Sequence, residues 1–216
     1  MFLFFLRWNA RAYIFVRLIF RKMVLMYRRI KRVIGLLIAI VSLVLVVPIS
    51  LIACIFIMLE SSGNPIYIQE RVGLNGKKFW IYKLRSMYPD AEKNGHKWAN
   101  KNDERITTVG RFIRKTRIDE LPQTINVIKG EMSFIGPRPE RPEFIKEFLK
   151  DIPNFNDRLA VRPGITGWAQ VNGGYNLTPK KKLGYDIYYI RHESIKLDLL
   201  ILLKTIKVLW TGEGSR

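Results

Sequence analysis

The longest apolar run in the chain, Val33 to Leu59 (VIGLLIAIVSLVLVVPISLIACIFIML), carries no charged residue and exceeds the roughly 20 residues a helix needs to cross a bilayer. It is expected to sit in lipid. A secretory signal would have a shorter apolar region nearer the start and a small-residue cleavage site, which is not evident here. Pro48 lies near the middle of the run. It removes a backbone donor and clashes with the carbonyl four residues earlier, so a kink is expected. A kinked spanning helix and a hairpin that re-enters one leaflet both fit such a kink. The preceding residues, 1–32, place Phe, Trp, Leu and Ile among arginines at helix-like spacing, the pattern of an interfacial helix.

After the turn-rich SSGNP at 61–65, the pattern changes period. IYIQERVGLNGKKFWIYKLRSM alternates apolar and polar residues on either side of Leu74-Asn75-Gly76, which predicts a strand hairpin. Tyr88 to Arg105 is polar and reads as a mobile loop. Helical spacing returns over Val109 to Arg117 and Leu121 to Ile128, with Gly130 placed as a stop. The proline-dense MSFIGPRPERPEF, from Met132, is expected to be a shaped loop, since proline suits neither helix interior nor central strand. Near the C-terminus Leu197, Leu200, Ile201, Lys204 and Val208 recur at helical intervals, with apolar residues around much of the helix. A membrane-surface helix and a core-packing helix both satisfy that pattern. The expected fold is α+β: a basic interfacial helix over 1–32, a re-entrant membrane helix broken at Pro48 over 33–60, and a small mixed catalytic domain over 61–216.

Charge adds direction. Residues 1–32 carry Arg7, Arg11, Arg17, Arg21, Lys22, Arg28, Arg29, Lys31 and Arg32 without an acidic residue, which places the N-terminus on the cytoplasmic side. The chain after the apolar run is also basic, so both flanks suit a hairpin over a span. The whole 216-residue chain has 37 Lys and Arg against 18 Asp and Glu, a net +19 that attracts nucleic acid, anionic lipid or phosphorylated substrates alike. One cysteine, Cys54, inside the apolar run excludes an intrachain disulfide framework and a cysteine metal cluster. His96 and His192 are far apart and lack metal-ligand spacing, so a zinc site or a His-dependent triad has little to build on.

The densest chemistry lies in RKTRIDELPQTINVIKGEMSFIGPRPE. Asp119 and Glu120 are adjacent carboxylates just before Pro122, which is tolerated in the first turn of a helix, so the pair is expected at a helix N-terminus. Helix capping would use the same residues, and local sequence alone leaves both readings open. Their company favours chemistry: Arg111, Arg114, Lys115 and Arg117 precede them, and Arg138 stands between Pro137 and Pro139. Cations gathered around a carboxylate pair describe a phosphate and metal site, with Mg²⁺ as the natural ion. A carboxylate can also attack phosphorus and form an acyl phosphate. GLNGKKF, from Gly73, lacks the gap and the following Ser or Thr of a Walker loop. A two-carboxylate glycosidase is disfavoured, because adjacent residues in one turn do not face each other across a glycosidic bond.

In order, QERVGLNGKKFWIYKLRSM, RITTVGRFIRKTRIDELPQTINVIKGEMSFIGPRPE, RPGITGWAQVNG and YDIYYI closely resemble the bacterial sugar transferases, the polyprenol-phosphate hexose-1-phosphate transferases. The resemblance covers about Val33 to Thr205 and implies a small monotopic phosphoglycosyl transferase, held by a re-entrant helix broken at a proline that Pro48 matches. It implies transfer of hexose-1-phosphate from a nucleotide diphosphate sugar, usually a UDP-sugar, to undecaprenyl phosphate. Nucleoside monophosphate would be released, and the step would open glycoconjugate or exopolysaccharide synthesis. By motif, Asp119 is similar to the family's nucleophile and Glu120 to its acidic neighbour, the two together holding Mg²⁺. Arg114 and Arg138, with Lys83 and Arg85 of the strand motif, are expected to bind phosphate. Pro137, Pro139, Gly164, Thr166, Gly167, Trp168 and Gln170 would form loops bordering the site, either as tight packing or as ligand contacts. The implied setting is the cytoplasmic face of the bacterial inner membrane, with lipid as a partner, no nucleic acid, and a homo-oligomer left open. The competing class is a non-enzymatic, membrane-anchored basic protein that binds lipid or nucleic acid and has no need of the Asp119 carboxylate.

Overall fold

The computed structural model describes residues 2–93, 95 and 103–211. It begins with one long helix, α1 (Phe2–Glu60), unbroken in its assignment from residue 32 to 33 and through Pro48. Its apolar stretch is not a core helix, for only 11 % of its most apolar window is covered by protein. Val41, Val44 and Leu59 are largely exposed. Helices of this length and hydropathy can cross a membrane, and this one is the candidate among the described residues. The positions that do face protein recur at Ala39, Val46, Ala53 and Ile57, one narrow stripe.

Two small sheets follow. β1 (Ile66–Val72) and β2 (Lys78–Leu84) form the expected antiparallel hairpin, with Gln69 opposite Ile81. The turn is a single 3₁₀ turn at Leu74–Gly76, where Asn75 and Gly76 take positive φ. Next come α2 (Thr108–Lys115), a 3₁₀ turn (Ile118–Gln123) and α3 (Thr124–Lys129). Gly130 ends α3 in the left-handed conformation, as its position in the sequence suggested. The proline-dense segment is not all loop. Its first residues form β3 (Ser133–Ile135), parallel to β4 (Gly164–Thr166), and Pro142 opens α4 (Pro142–Asp151) at the one helical turn that tolerates proline. A short α5 (Trp168–Val171), α6 (Pro179–Arg191) and α7 (Ile195–Thr211) complete the chain. Of the polar stretch expected to be a loop, residues 88–93 form turns; its middle, with His96, lies outside the described residues.

The core joins these pieces to α1. Ala39 packs with Phe79, Ile81, Val127 and Met132, and Ala53 and Ile57 pack with Leu84 and Ile113. Leu197 and Ile201 of α7 enter a third cluster with Ile135, Val161 and Tyr189, while Leu199, Leu203, Ile206 and Trp210 stay exposed. So α7 is a core helix on one side only. Polar contacts fasten α1 near both ends of its apolar run. Arg32 donates to the Val127 and Ile128 carbonyls at the end of α3, and Lys31 and Tyr27 meet Asp198 of α7 at 3.0 and 2.7 Å. At the other end the Glu60 carboxylate accepts from the Thr108 and Val109 amides, 2.6 and 2.9 Å, completing the start of α2.

Candidate active site

Asp119 and Glu120 fall in the first turn of the 3₁₀ segment Ile118–Gln123, entered through Arg117 in the left-handed conformation (φ 59°). No side chain caps this turn, so the capping reading of the pair does not describe it. Both carboxylates are buried instead. Glu120 Oε1 accepts from Arg138 Nη2 at 2.6 Å and Lys83 Nζ at 2.9 Å, and Arg117 stands 3.9 Å from Oε2. Burial alone would raise the Glu120 pKa, but Arg138, Lys83 and Arg117 hold it well below the usual carboxylate range. Asp119 has no such escort. Among the described residues its buried Oδ1 has no hydrogen-bond partner, and burial, then the Glu120 charge, push its pKa up to about 6 against the pull of Lys83, Arg114 and Arg138. Two adjacent acids are thereby set apart: one a fixed anion, the other a carboxylate whose charge is only partly compensated.

The pair lines a cavity of about 340 Å³, within the range of small-molecule sites. Among the described residues nine Lys and Arg side chains border it against four carboxylates, an environment for a polyanion. Lys83, Arg114 and Arg138 are gathered here as expected. Arg85 also lines the cavity, but its Nη atoms donate to the Ser61 and Ser62 carbonyls at 2.7 and 2.6 Å. The exit of α1 thus engages both Nη atoms, while among the described residues the buried Nε has no hydrogen-bond partner. Of the Gly-Ile-Thr-Gly-Trp-Ala-Gln motif, Ala169 and Gln170 reach the cavity. Gln170 Nε2 donates to Ile165 O at 2.6 Å, and Oε1 is buried without a partner. The rest of the motif packs. A Cβ on Gly164 would lie 2.1 Å from Gly136 N and one on Gly167 2.0 Å from Gly136 O, while Trp168 stacks on Tyr188 and Thr166 bonds Thr205. Pro137 and Pro139 are buried beside Arg138, and Gly164 N donates to Pro137 O at 2.9 Å.

The support behind Arg138 comes from residues that no motif singles out. Arg158, fully buried, pairs with Asp186 at 2.7 Å and donates to the Arg138 carbonyl at 2.8 Å. Glu140 takes Lys182 and Arg158. Burial raises its pKa, yet those cations hold it at about 2. Tyr67, Gln69 and Arg71 line the cavity from β1, a period-2 set that strand alternation could have revealed.

Among the described residues no three His, Cys, Asp or Glu side chains cluster as an all-protein metal cage. Mg²⁺ does not require one, since it binds through one or two carboxylates plus substrate phosphates and water. The unpartnered, buried Oδ1 of Asp119 beside Glu120 fits that demand.

The model of the family described as bacterial sugar transferase matches residues 26–212. The chain belongs to that family. It is 46 % identical over 193 residues to a UDP-N-acetylgalactosamine-undecaprenyl-phosphate N-acetylgalactosaminephosphotransferase of Aeromonas hydrophila, covering 88 % of this chain and 46 % of that protein. It is 55 % identical over 133 residues to a putative undecaprenyl-phosphate N-acetylgalactosaminyl 1-phosphate transferase of Bacillus subtilis, covering 62 % of this chain and 74 % of that protein. A UDP-glucose:undecaprenyl-phosphate glucose-1-phosphate transferase of Xanthomonas campestris pv. campestris is 40 % identical over 178 residues, 79 % of this chain and 37 % of its own length. The chain thus spans less than half of the first and third of these relatives.

Proposed function

We propose that this bacterial sugar transferase moves a sugar-1-phosphate from a UDP-sugar to undecaprenyl phosphate in two displacements at Asp119. A carboxylate oxygen of Asp119 attacks the phosphorus that bears the sugar, the bond to the bridging oxygen breaks, and UMP leaves with that electron pair. The phosphate oxygen of the lipid then attacks the acyl phosphate, freeing the Asp119 carboxylate and yielding undecaprenyl diphosphate sugar. The buried, only partly compensated carboxylate of Asp119 on the wall of a cation-lined cavity carries this reading. A pKa near 6 leaves Asp119 ionised at neutral pH yet more basic than an ordinary aspartate, the balance a nucleophile needs. Arg138, Lys83 and Arg114 face the phosphate oxygens, and Arg158 fixes the Arg138 backbone while Arg138 turns between Glu120 and substrate. Mg²⁺, held by Asp119 and Glu120 when bound, would neutralise charge on the diphosphate.

A lipid acceptor explains the membrane element. Its phosphate stays at the bilayer surface, because its chain is held at about 0.8 kcal/mol per buried CH₂. In this reading α1 re-enters the leaflet at Pro48, and the exposed apolar side of α7 and the basic residues before 33 lie at the head groups. The domain then faces the cytoplasm from the inner membrane. Labels at Trp8 and Trp210 should both react from the cytoplasmic side, and labelling on opposite sides would defeat the hairpin.

The decisive assay incubates the protein in nanodiscs with Mg²⁺, undecaprenyl phosphate and a panel of UDP-sugars, and measures UMP. One donor should yield UMP, and Asp119→Asn should reduce release by at least about 10³-fold, the scale of losing a nucleophile. Folded protein that releases UMP from no donor, or a fully active Asp119→Asn, would overturn the assignment.

A further inference from the structure

Arg141 sits just before α4, at 9 % exposure, on the same cavity as Asp119 but outside the Glu120 cluster. Its Nη2 donates to the Glu92 carboxylate and to Tyr67 Oη at 3.3 Å. Its Nη1 is buried and, among the described residues, has no hydrogen-bond partner. The Phe144 ring lies 5.7 Å from the guanidinium carbon. A buried guanidinium with an unused donor carries a standing desolvation cost, and its fork matches the two oxygens of a phosphate. The acid that does reach it is an outsider: Glu92 comes from the turns after β2, and its side chain is 32 % exposed. Arg141 lies three positions after Arg138, a chain reach of about 10 Å at most, so both guanidiniums can serve one ligand.

We infer that Arg141 and Tyr67 form a second oxyanion subsite, which takes the donor phosphate that departs with the nucleotide, and that Glu92 fills this subsite until the donor displaces it. This rests on the nucleoside diphosphate sugar as donor. Glu92 is then an internal competitor. A ligand must bring a phosphate strong enough to replace a carboxylate, so neutral nucleosides and free sugars gain nothing at this end of the cavity, while a diphosphate gains a fork of donors already in place. Removing the competitor raises the fraction of protein ready to bind, and affinity rises by the same factor.

The test measures binding to the full chain in nanodiscs by titration calorimetry, without turnover. Probes are UDP, uridine and farnesyl phosphate, the last standing for the phosphate of a lipid acceptor. Glu92→Gln should tighten UDP about tenfold, since it removes a like charge from the phosphate's place, and leave uridine and farnesyl phosphate unchanged. Arg141→Gln should weaken UDP by a similar factor, and adding Glu92→Gln to it should then bring no gain. If Glu92→Gln proves unstable, Glu92→Asp, whose shorter carboxylate holds Arg141 less well, should shift UDP in the same direction. Unchanged or weaker UDP binding in both Glu92 variants would overturn the inference. So would equal tightening of uridine, which would show that no oxyanion is involved, or tightening of farnesyl phosphate alone, which would give the subsite to the acceptor. Because no chemistry is read, a UDP response without UMP release from any donor would remove the proposed reaction but keep the subsite, and UMP release with no Glu92 effect would do the reverse.

Discussion

Substituting Asp119 by Asn should stabilise the protein while silencing it. The carboxylate's ordinary pKa is 3.8, and in the fold burial, then the Glu120 charge, bring it to about 6. An acid raised in this way binds its proton more tightly folded than unfolded, so its contribution to stability is lost as pH rises from about 4 through 6 and stays lost above. That difference corresponds to about 3 kcal/mol of destabilisation at pH 8, about 1 to 2 at pH 5, and less than about 1 at pH 4. Asparagine has the same shape without the charge. With no donor present and EDTA added, it should melt about 6 to 12 °C above the parent at pH 8, taking about 2 to 4 °C per kcal/mol for a chain of this size, and the gap should close toward pH 4. Differential scanning fluorimetry in nanodiscs across pH 4 to 8 reads this directly. A gap that is absent, reversed or independent of pH would refute the claim that Asp119 sits buried and under-compensated.

Other outcomes follow from the same geometry. Arg138→Lys keeps the charge but loses the fork that meets Glu120 at 2.6 Å, and UMP release should fall about 10- to 100-fold with little change in melting temperature. Arg158→Met leaves Asp186 buried without its 2.7 Å partner and should cost about 3 to 5 kcal/mol, measured by denaturant melts, with much of the loss recovered by adding Asp186→Leu. Gly167→Ala would place a methyl 2.0 Å from Gly136 O, and folded protein should be lost on size exclusion. Glu140 is held at about 2 by Lys182 and Arg158 once burial is overcome, so its stabilisation is present above the ordinary 4.5 and fades as pH falls toward 2. Glu140→Gln should therefore lower the melting temperature at pH 7 more than at pH 3.

Local pattern made part of this architecture legible. The hairpin around Asn75-Gly76 could be read because its strands alternate and its turn residues accept positive φ, and the stop at Gly130 for the same reason. The cluster of Asp119, Glu120, Lys83, Arg114 and Arg138 was visible in the motifs, although its 3₁₀ geometry was not, because the left-handed entry at Arg117 is set by tertiary packing that no propensity records. What stayed hidden depends on distance along the chain. Arg158 and Asp186 are 28 residues apart, and each alone reads as a surface charge. Arg85 lines the cavity as its strand motif suggested, but its hold on Ser61 and Ser62, across 24 and 23 residues, was not legible. Arg141 stood one residue beyond the motif that drew the eye, and its partner Glu92 lies in the polar stretch that periodicity could only label a loop.

The apolar helix is fastened near both ends of its apolar run, by Arg32 on α3 with Lys31 and Tyr27 on α7, and by Glu60 on α2, and three of its residues, Ala39, Ala53 and Ile57, belong to the hydrophobic interior. An anchor on a string would let its cargo bob to any height. Here the anchor is a wall of the cargo, so the elevation of Asp119 above whatever surrounds residues 40–52 is built into the backbone. A foreign anchor of equal greasiness would restore attachment and still leave the interior missing a wall.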